Sequence, residues 1–396
     1  MFRTLCMRPD VAAIAPAAMR VDLVDTVDGF RALESHWDEL LAASRSDCFF
    51  LTWEWLYAWW RHMRGDRALQ LLVVREGDEL VGVAPLARAR TTLPWLSRLE
   101  FLGTGYAGSD YVDVIVRRDR ELQVVEALSR AIAAQNVALH LDHLPSESVS
   151  SALLGNVEAE GWTSIRTPGG ICPFVRLEGR SWDSYLASVG PAHRANLRRR
   201  IRGLDREFQV RFERVSSEPA RAAALETLMS LHNRRWDKRG GSTAFPTPAC
   251  RAFHDEATRR ALDRGWLRLY VLTLDGTPAA ATYCFAYNDR FYFYQGAFDE
   301  RFAQHSVGMV AMGLTIRAAT EEGAREFDML YGVETYKWLW ARDARALDRI
   351  DLFPAHIGGR LHHRTIEAER TVRTLARRIF PRKTCNSNVL PAGVVC

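Results

Sequence analysis

Carboxylates, phenols and an ammonium crowd into one short stretch of this chain: Asp328, Tyr331, Glu334, Thr335, Tyr336 and Lys337. Such a set can take up and return protons and place positive charge beside a developing anion. It follows directly on a strand, Arg325–Leu330, and open α/β sheets place their ligand sites just past strand ends. The same residues also have plain structural uses, Asp328 as a buried acceptor and Lys337 as a surface partner of Glu334. Upstream, an aromatic strand (Phe291–Gln295) leads into an irregular loop (Gly296–Ser306). Ser306-Val307-Gly308 then opens a helix whose first turn is small and uncharged. A helix start offers free amides and the positive end of the helix dipole, which can hold a pyrophosphate. Gly308 would let a phosphate approach the backbone, and Ser306 would bind it or simply cap the helix. No nucleophile elbow and no Cys–His–Asp order points to a covalent intermediate. Cys284 lies mid-strand and reads as core.

The elements that must position these groups alternate from Val21 onward. Asp28–Ala43 carries Phe30, Leu33, Trp37, Leu40 and Leu41 at helical spacing, with Asp28 as N-cap. Thr52–His62 is an aromatic helix. Leu69–Val74 and Leu80–Ala87 read as strands around the Gly77-Asp78 turn. Leu99–Leu102 and Tyr111–Val116 are strands around a Gly-rich loop, followed by a helix (Glu121–Ala134) and a strand (Val137–Leu141). The second half repeats this order: helices at Ala220–Arg235 and Pro248–Asp263, strands at Leu267–Leu274, Ala279–Tyr287 and Arg290–Ala297, a helix at Val307–Glu322 and a strand at Glu326–Leu330. Leu69, Leu71, Val73 and Gly77-Asp78 match Leu267, Leu269, Val271 and Asp275-Gly276 at one offset of 198 residues (69 to 267). The later unit ending Leu141-Asp142 matches the one ending Phe327-Asp328 at 186 (142 to 328). A duplicated lobe accounts for both offsets. Two unrelated α/β domains sharing one element order are the other reading.

Between the copies, His193–Phe208 is a basic amphipathic helix with Arg194, Arg198, Arg199, Arg200, Arg202 and Arg206. It is either a solvated face on a packed helix or an anion-contacting wall of the cleft. The organisation expected is a tail (1–19), a first lobe (20–178), a basic connector (179–214), a second lobe (215–356) and a basic tail (357–396). That last tail holds eight Arg and Lys against two Glu, and it could touch an anionic lipid surface.

Composition bounds the function. At 396 residues, 47% hydrophobic and 26% charged, the chain is globular and long enough for two lobes. A net charge of +5 favours anionic small ligands and falls short of the concentrated basic face of a DNA binder. Seven widely spaced Cys form no disulfide framework and no zinc pattern. Residues 1–18 resemble a signal peptide only faintly, since Arg8, Pro9 and Asp10 interrupt the apolar run. A cytoplasmic protein without a metal is expected.

The order of these motifs resembles the GNAT superfamily of acyltransferases, in particular its CelD-like acetyltransferases of cellulose and exopolysaccharide clusters. These are similar to the two-lobe FemAB transferases of the cell wall. The carrying residues are Tyr294-Gln295, Ser306-Val307-Gly308, Glu322-Gly323, Phe327-Asp328 and Tyr336-Lys337. Trp59-Trp60, Gly82, Pro85-Leu86, Arg194–Arg202, Leu231-His232 and Trp236 support them. The resemblance implies a mixed-sheet α/β fold of two tandem GNAT-like lobes around a shared cleft. It implies acetyl-CoA or another acyl-CoA as co-substrate, held by Tyr294, Gln295, Gly296, Ala297, Ser306, Val307, Gly308 and Met309. Trp236, Tyr283, Tyr106, Asp110 and Arg198, with Tyr111, would meet the acceptor, a small molecule or glycan precursor. The sequence departs from the family pattern at Val333, where many relatives carry an acid, and in lacking Arg/Gln-x-x-Gly-x-Gly/Ala at the phosphate loop. The first copy has Arg117-Arg118-Asp119-Arg120 at that loop, so donor binding is expected in the second copy alone.

Acyl transfer from a thioester needs a deprotonated nucleophile, a stabilised oxyanion and a protonated leaving thiol. Glu334 and Asp328 are the candidate bases, with His305 third. Lys337 would supply positive charge, and Tyr336 or Tyr294 would protonate the thiolate. The resemblance implies a backbone amide after Gln295 as oxyanion donor. Three functions compete: an N- or O-acyltransferase of polysaccharide or envelope biosynthesis, an aminoacyl-tRNA-dependent transferase, and a non-catalytic GNAT-fold binding module.

Overall fold

Trp53, Trp55, Tyr57, Trp59 and Trp60 stand on one helix and all are buried, because rings from both halves of the chain, Phe30, Phe50, Phe253 and Phe285, close around it. The computed structural model describes residues 19–90, 97–237, 244–356, 358–361 and 363–364, without the side chains of 236 and 237. The first lobe contains β1 (Met19–Val24), α1 (Val27–Ala32), α2 (Glu34–Ala42), α3 (Trp53–Met63), β2 (Ala68–Glu76), β3 (Glu79–Arg90), β4 (Ser97–Phe101), β5 (Ile115–Val116), α4 (Glu121–Gln135), β6 (Ala138–Pro145), α5 (Ser150–Ala159) and β7 (Thr163–Arg176). Two connecting helices follow, α6 (Trp182–Ser188) and α7 (Pro191–Glu207). The second lobe has β8 (Val210–Arg214), α8 (Glu218–Asp237), α9 (Pro248–Asp263), β9 (Leu267–Leu274), β10 (Thr277–Tyr287), β11 (Arg290–Phe298), α10 (Val307–Glu321), β12 (Glu326–Asp328) and β13 (Asp343–Phe353).

The helix expected at Asp28–Ala43 is broken into α1 and α2, and its N-cap is Thr26, whose hydroxyl accepts from the Gly29 amide. Of the strand expected at Tyr111–Val116 only Ile115–Val116 forms, because Tyr111 sits in the left-handed region at φ 60.

All strands join one mixed sheet in the order β1-β2-β3-β4-β6-β13-β7-β12-β11-β10-β9-β8, with β5 beside β3. The two lobes exchange their last strands. β13, at the end of the second lobe, pairs antiparallel with β6 of the first. β7, at the end of the first lobe, pairs antiparallel with β12 of the second. β7 and β13 also pair with each other along their length, from Asp343↔Phe174 to Phe353↔Thr163. Gly169 is an extra residue in β7, and a Cβ there would lie 3.0 Å from the Asp348 carbonyl carbon.

The exchange is backed by a shared aromatic core. Phe49 of the first lobe stacks on Phe285 of the second at 3.8 Å between ring centres, and Trp55 meets Phe253 edge-on at 4.8 Å. Truncating one such ring costs on the order of 3–5 kcal/mol, so the lobes are held as one body.

Candidate active site

Two parallel strands part company in the second lobe. β11 pairs with β12 only from Arg290 to Tyr292, while its remainder, to Phe298, pairs with β10 alone. One edge of β11 is thus open past Tyr292. Tyr294 is the extra residue of a bulge there, since Cys284 pairs with Phe293 and Tyr283 with Gln295. Bulges re-aim side chains, often beside active sites. The Tyr294 hydroxyl donates across the lobes to the Ala107 carbonyl at 2.7 Å, with His254 Nε2 3.3 Å away. That phenol is committed to the seam rather than free to protonate a thiolate. The Gly296 amide, next along, donates to the side-chain oxygen of Gln295 at 2.9 Å. A thioester oxygen arriving at this edge would compete for that donor.

The loop after β11 ends at Ser306, which is left-handed (φ 57) and makes no side-chain cap to α10. The Met309 and Val310 amides bond to the Ser306 carbonyl. Among the described residues nothing accepts from the Val307 and Gly308 amides, so this helix start has donors to offer an anion. Arg200 reaches the Gln304 carbonyl at 2.5 Å, and the Arg235 guanidinium lies 4.4 Å over the Phe298 ring. Both bring positive charge to this end. Gly308 has a nearer reason than phosphate access, because a Cβ there would lie 2.8 Å from Phe298. Gly296 likewise leaves room for Phe293, 2.9 Å from a built Cβ. The side chains of Val307 and Ala297 are buried, and Met309 lies against Asn196, so these three have only backbone to offer a ligand.

The carboxylate end is largely sealed, which corrects two expectations. Asp328 is 1% exposed; it accepts from Tyr111 Oη at 2.7 Å and the Leu330 amide at 2.8 Å, and pairs with Arg345 at 3.1 Å. Burial pushes its pKa up to about 7, against the pull of Arg345 and these hydrogen bonds. Lys337 is also buried, donating to the carbonyls of Leu330 (3.0 Å) and Tyr331 (2.7 Å) and pairing with Glu334 at 3.2 Å. Both are fasteners of the left-handed turn at Leu330 (φ 56). Glu334, about half-exposed, and Tyr336, 42% exposed, remain on the rim.

The first lobe supplies the facing wall. Asp110 is 1% exposed and uses both oxygens, one with His143 Nδ1 at 2.7 Å and the other for the Tyr331 amide at 2.8 Å. The Tyr331 ring lies 5.0 Å from the His143 ring and fits only because position 170 is glycine. Tyr106, Tyr331, Val333 and Tyr336 are exposed around this seam. Four of the non-glycine residues with positive φ are Asn or Asp in turns; the others are Tyr111, His143, Ser306 and Leu330, all at the seam or the helix start. Strain of this kind collects at functional sites. His143 and Arg345 were not read from the sequence. Neither has a motif, and both reach the seam through pairings more than 180 residues or a whole loop apart.

Other expected residues lie elsewhere. Tyr283 is fully buried among His254, Phe285 and Tyr294, so it cannot touch an acceptor. Arg198 lies on the exposed face of α7, 3.8 Å from Asp183. His305 packs on Phe208, with Glu207 at 3.6 Å, away from the seam. The Trp236 side chain lies outside the described residues, as do residues 1–18 and most of the second tail. Among the described residues no cluster of His, Cys, Asp or Glu is arranged to hold a metal, and no helix is long and apolar enough to cross a membrane.

Residues 191–338 match the family described as acetyltransferase (GNAT) domain. No curated protein matches the chain. Among solved structures, FemX superposes with a TM-score of 0.61 at 11% identity, covering 83% of this chain and 97% of that one. L-PGS from Bacillus licheniformis gives 0.52 at 13%, covering 88% and 97%. A conserved protein of unknown function from Bacteroides thetaiotaomicron gives 0.52 at 12%, covering 84% and 99%. At such identities the likeness is one of fold: a mixed α/β sheet built from two GNAT-like lobes.

Proposed function

We propose that this protein moves an acetyl or longer acyl group from acyl-CoA to an amine or hydroxyl acceptor bound at the seam between the lobes. The observation that carries this is the open edge of β11, bulged at Tyr294, standing beside an α10 start with unspent amides. The pantetheine arm would lie along that edge, with its diphosphate at Val307-Gly308 near Arg200 and Arg235. The Gly296 amide would leave Gln295 for the thioester oxygen. The exposed rim of Tyr106, Tyr331, Val333 and Tyr336 suits the apolar faces of a sugar ring. The acceptor is accordingly a glycan or envelope precursor, as for a CelD-like enzyme, and the reaction belongs in the cytoplasm.

Acetyl-CoA should raise the melting temperature, since a ligand bound only by the native state stabilises it. Thiol release from acetyl-CoA should then depend on an amino sugar or nucleotide sugar. No thermal shift at millimolar acetyl-CoA, with a shift from aminoacyl-tRNA, would turn the assignment to a tRNA-dependent transferase. The exposed arginines of α7 favour that second reading. Binding of acetyl-CoA without thiol release to any acceptor would leave a binding module.

A further inference from the structure

At the seam, His143 is a titratable side chain held in place yet still open to solvent. His143 lies in β6 of the first lobe, and its side chain is 28% exposed. Its Nδ1 faces the carboxylate of Asp110, which can only accept, so Nδ1 carries the proton and Nε2 keeps its lone pair. The second Asp110 oxygen holds the Tyr331 amide, fixing the dyad to the loop that carries Glu334 and Lys337. His143 is also held left-handed at φ 59, and its own amide donates to Asp142. A strained backbone and a fully engaged carboxylate for one half-exposed imidazole are more than packing requires. Of the other candidate groups, Asp328 is sealed, Glu334 is paired with Lys337, and His254 is fully buried with its protonation pushed down to about 3.

We propose that His143, oriented by Asp110, is the base that takes the proton from the acyl acceptor, so that the second lobe holds the donor and the first activates the nucleophile. This rests on the acyl-transfer reading above. As the acceptor nitrogen or oxygen bonds to the thioester carbonyl carbon, its proton passes to His143 Nε2. The carbon–sulfur bond then breaks, the CoA sulfur leaves with the electron pair, and the proton returns to it from the imidazolium directly or through water. The groups facing His143 are Asp110 from the loop after β4, Asp142 beside it, Arg349 from β13 and Tyr331 from the loop after β12. Burial disfavours the imidazolium, but the hydrogen bond and charge of Asp110, with Asp142, outweigh it and raise the His143 pKa above the ordinary histidine value.

His143→Gly keeps the left-handed backbone without strain and opens space for free imidazole, while His143→Asn keeps a donor toward Asp110. Thiol release from acetyl-CoA would be followed with glucosamine and, without it, as hydrolysis. Both variants should bind acetyl-CoA as the wild type does and turn over about 10²–10⁴-fold more slowly. The pH inflection should vanish, and imidazole should restore part of the His143→Gly rate. By NMR the wild-type imidazole should carry its proton on Nδ1 and titrate above free histidine, and Asp110→Asn should lower that value. Undiminished turnover in both variants, or an ordinary titration that ignores Asp110→Asn, overturns the assignment of His143 alone. A wild-type protein that neither binds acetyl-CoA nor releases thiol removes it together with the acyl-transfer reading.

Discussion

Asp142 within β6 and Asp328 at the end of β12 stand at matching places in the two lobes, and both are met by an arginine from the same strand, β13. Arg349 pairs with Asp142 and Arg345 with Asp328. Their chemistry has nonetheless diverged. Burial disfavours the charge on both, but Asp142 is only partly buried. There the hydrogen bond from Arg349 and the charge of His143 win and lower its pKa. Asp328 is fully buried and its arginine is shared with Glu326, so desolvation wins. The turns that follow differ in the same sense. After β6 the chain is fastened by a buried carboxylate, Asp113, accepting from the Val149 and Ser150 amides. After β12 it is fastened by an ammonium, Lys337, donating to two carbonyls. At the helix starts, α4 is preceded by Arg117–Arg120, whose arginines pair with Glu79, Asp119 and Glu76, whereas α10 is preceded by the uncharged Ser306. The two frames therefore carry different charges at matching places.

The largest test of this contrast is Asp328→Asn. The folded protein binds the Asp328 proton more tightly than the unfolded chain does. The stability from this group is thus complete below about pH 4 and is lost as pH rises through about 7. Wild-type stability relative to the variant should fall by about 1.4 kcal/mol per pH unit across that window. Urea titrations at several pH values measure it, and a flat difference would break the comparison. Next is Lys337→Met, which keeps the aliphatic stem but leaves two buried carbonyls without a donor. It should cost about 3 kcal/mol, read as a lower urea midpoint, and slow acyl transfer at least tenfold by loosening the Leu330 turn. Unchanged stability would mean that the ammonium is not a fastener. Asp142→Asn should show the reverse pH trend from Asp328→Asn. Its contribution is present above about pH 4 and is lost as pH falls further, so the variant should lose about 2 kcal/mol at neutral pH and progressively less in acid. The smallest effect separates the helix starts. Gly308→Ala displaces Phe298 and should weaken acetyl-CoA binding about tenfold, roughly 1.4 kcal/mol, by calorimetry. Asp119→Asn at the other helix start should leave binding unchanged, and equal losses would place donor contacts in both lobes.

The first half of each lobe was readable because it obeys local rules. The hairpins at Gly77-Asp78 and Asp275-Gly276 rest on period-two alternation and turn residues, and α10 and the aromatic α3 rest on helical spacing. The two exchanged strands were not assigned as strands at all. β7 carries Pro168, Gly169, Gly170 and Pro173, which locally signal turns, and β13 interleaves charges, Asp343, Arg345, Asp348, Arg349 and Asp351, that local rules send to solvent. Both are strands because each is flanked on either side by partners far away in the chain. The site divides the same way. Tyr294 to Gly308 could be read as one strand, loop and helix start because these are contiguous in the chain. Tyr106 is exposed at the seam, whereas Asp110 and Tyr111 are buried there. His143 and Arg345 stayed hidden, and Tyr283, Asp328 and Lys337 looked accessible when they are not. The sequence by itself determined the elements and the duplicated order, since propensity and periodicity act over a few residues. Which charges are buried and which phenol crosses the seam were decided by tertiary structure. Desolvation and hydrogen-bond partners there depend on strands that meet only when β7 and β13 change places.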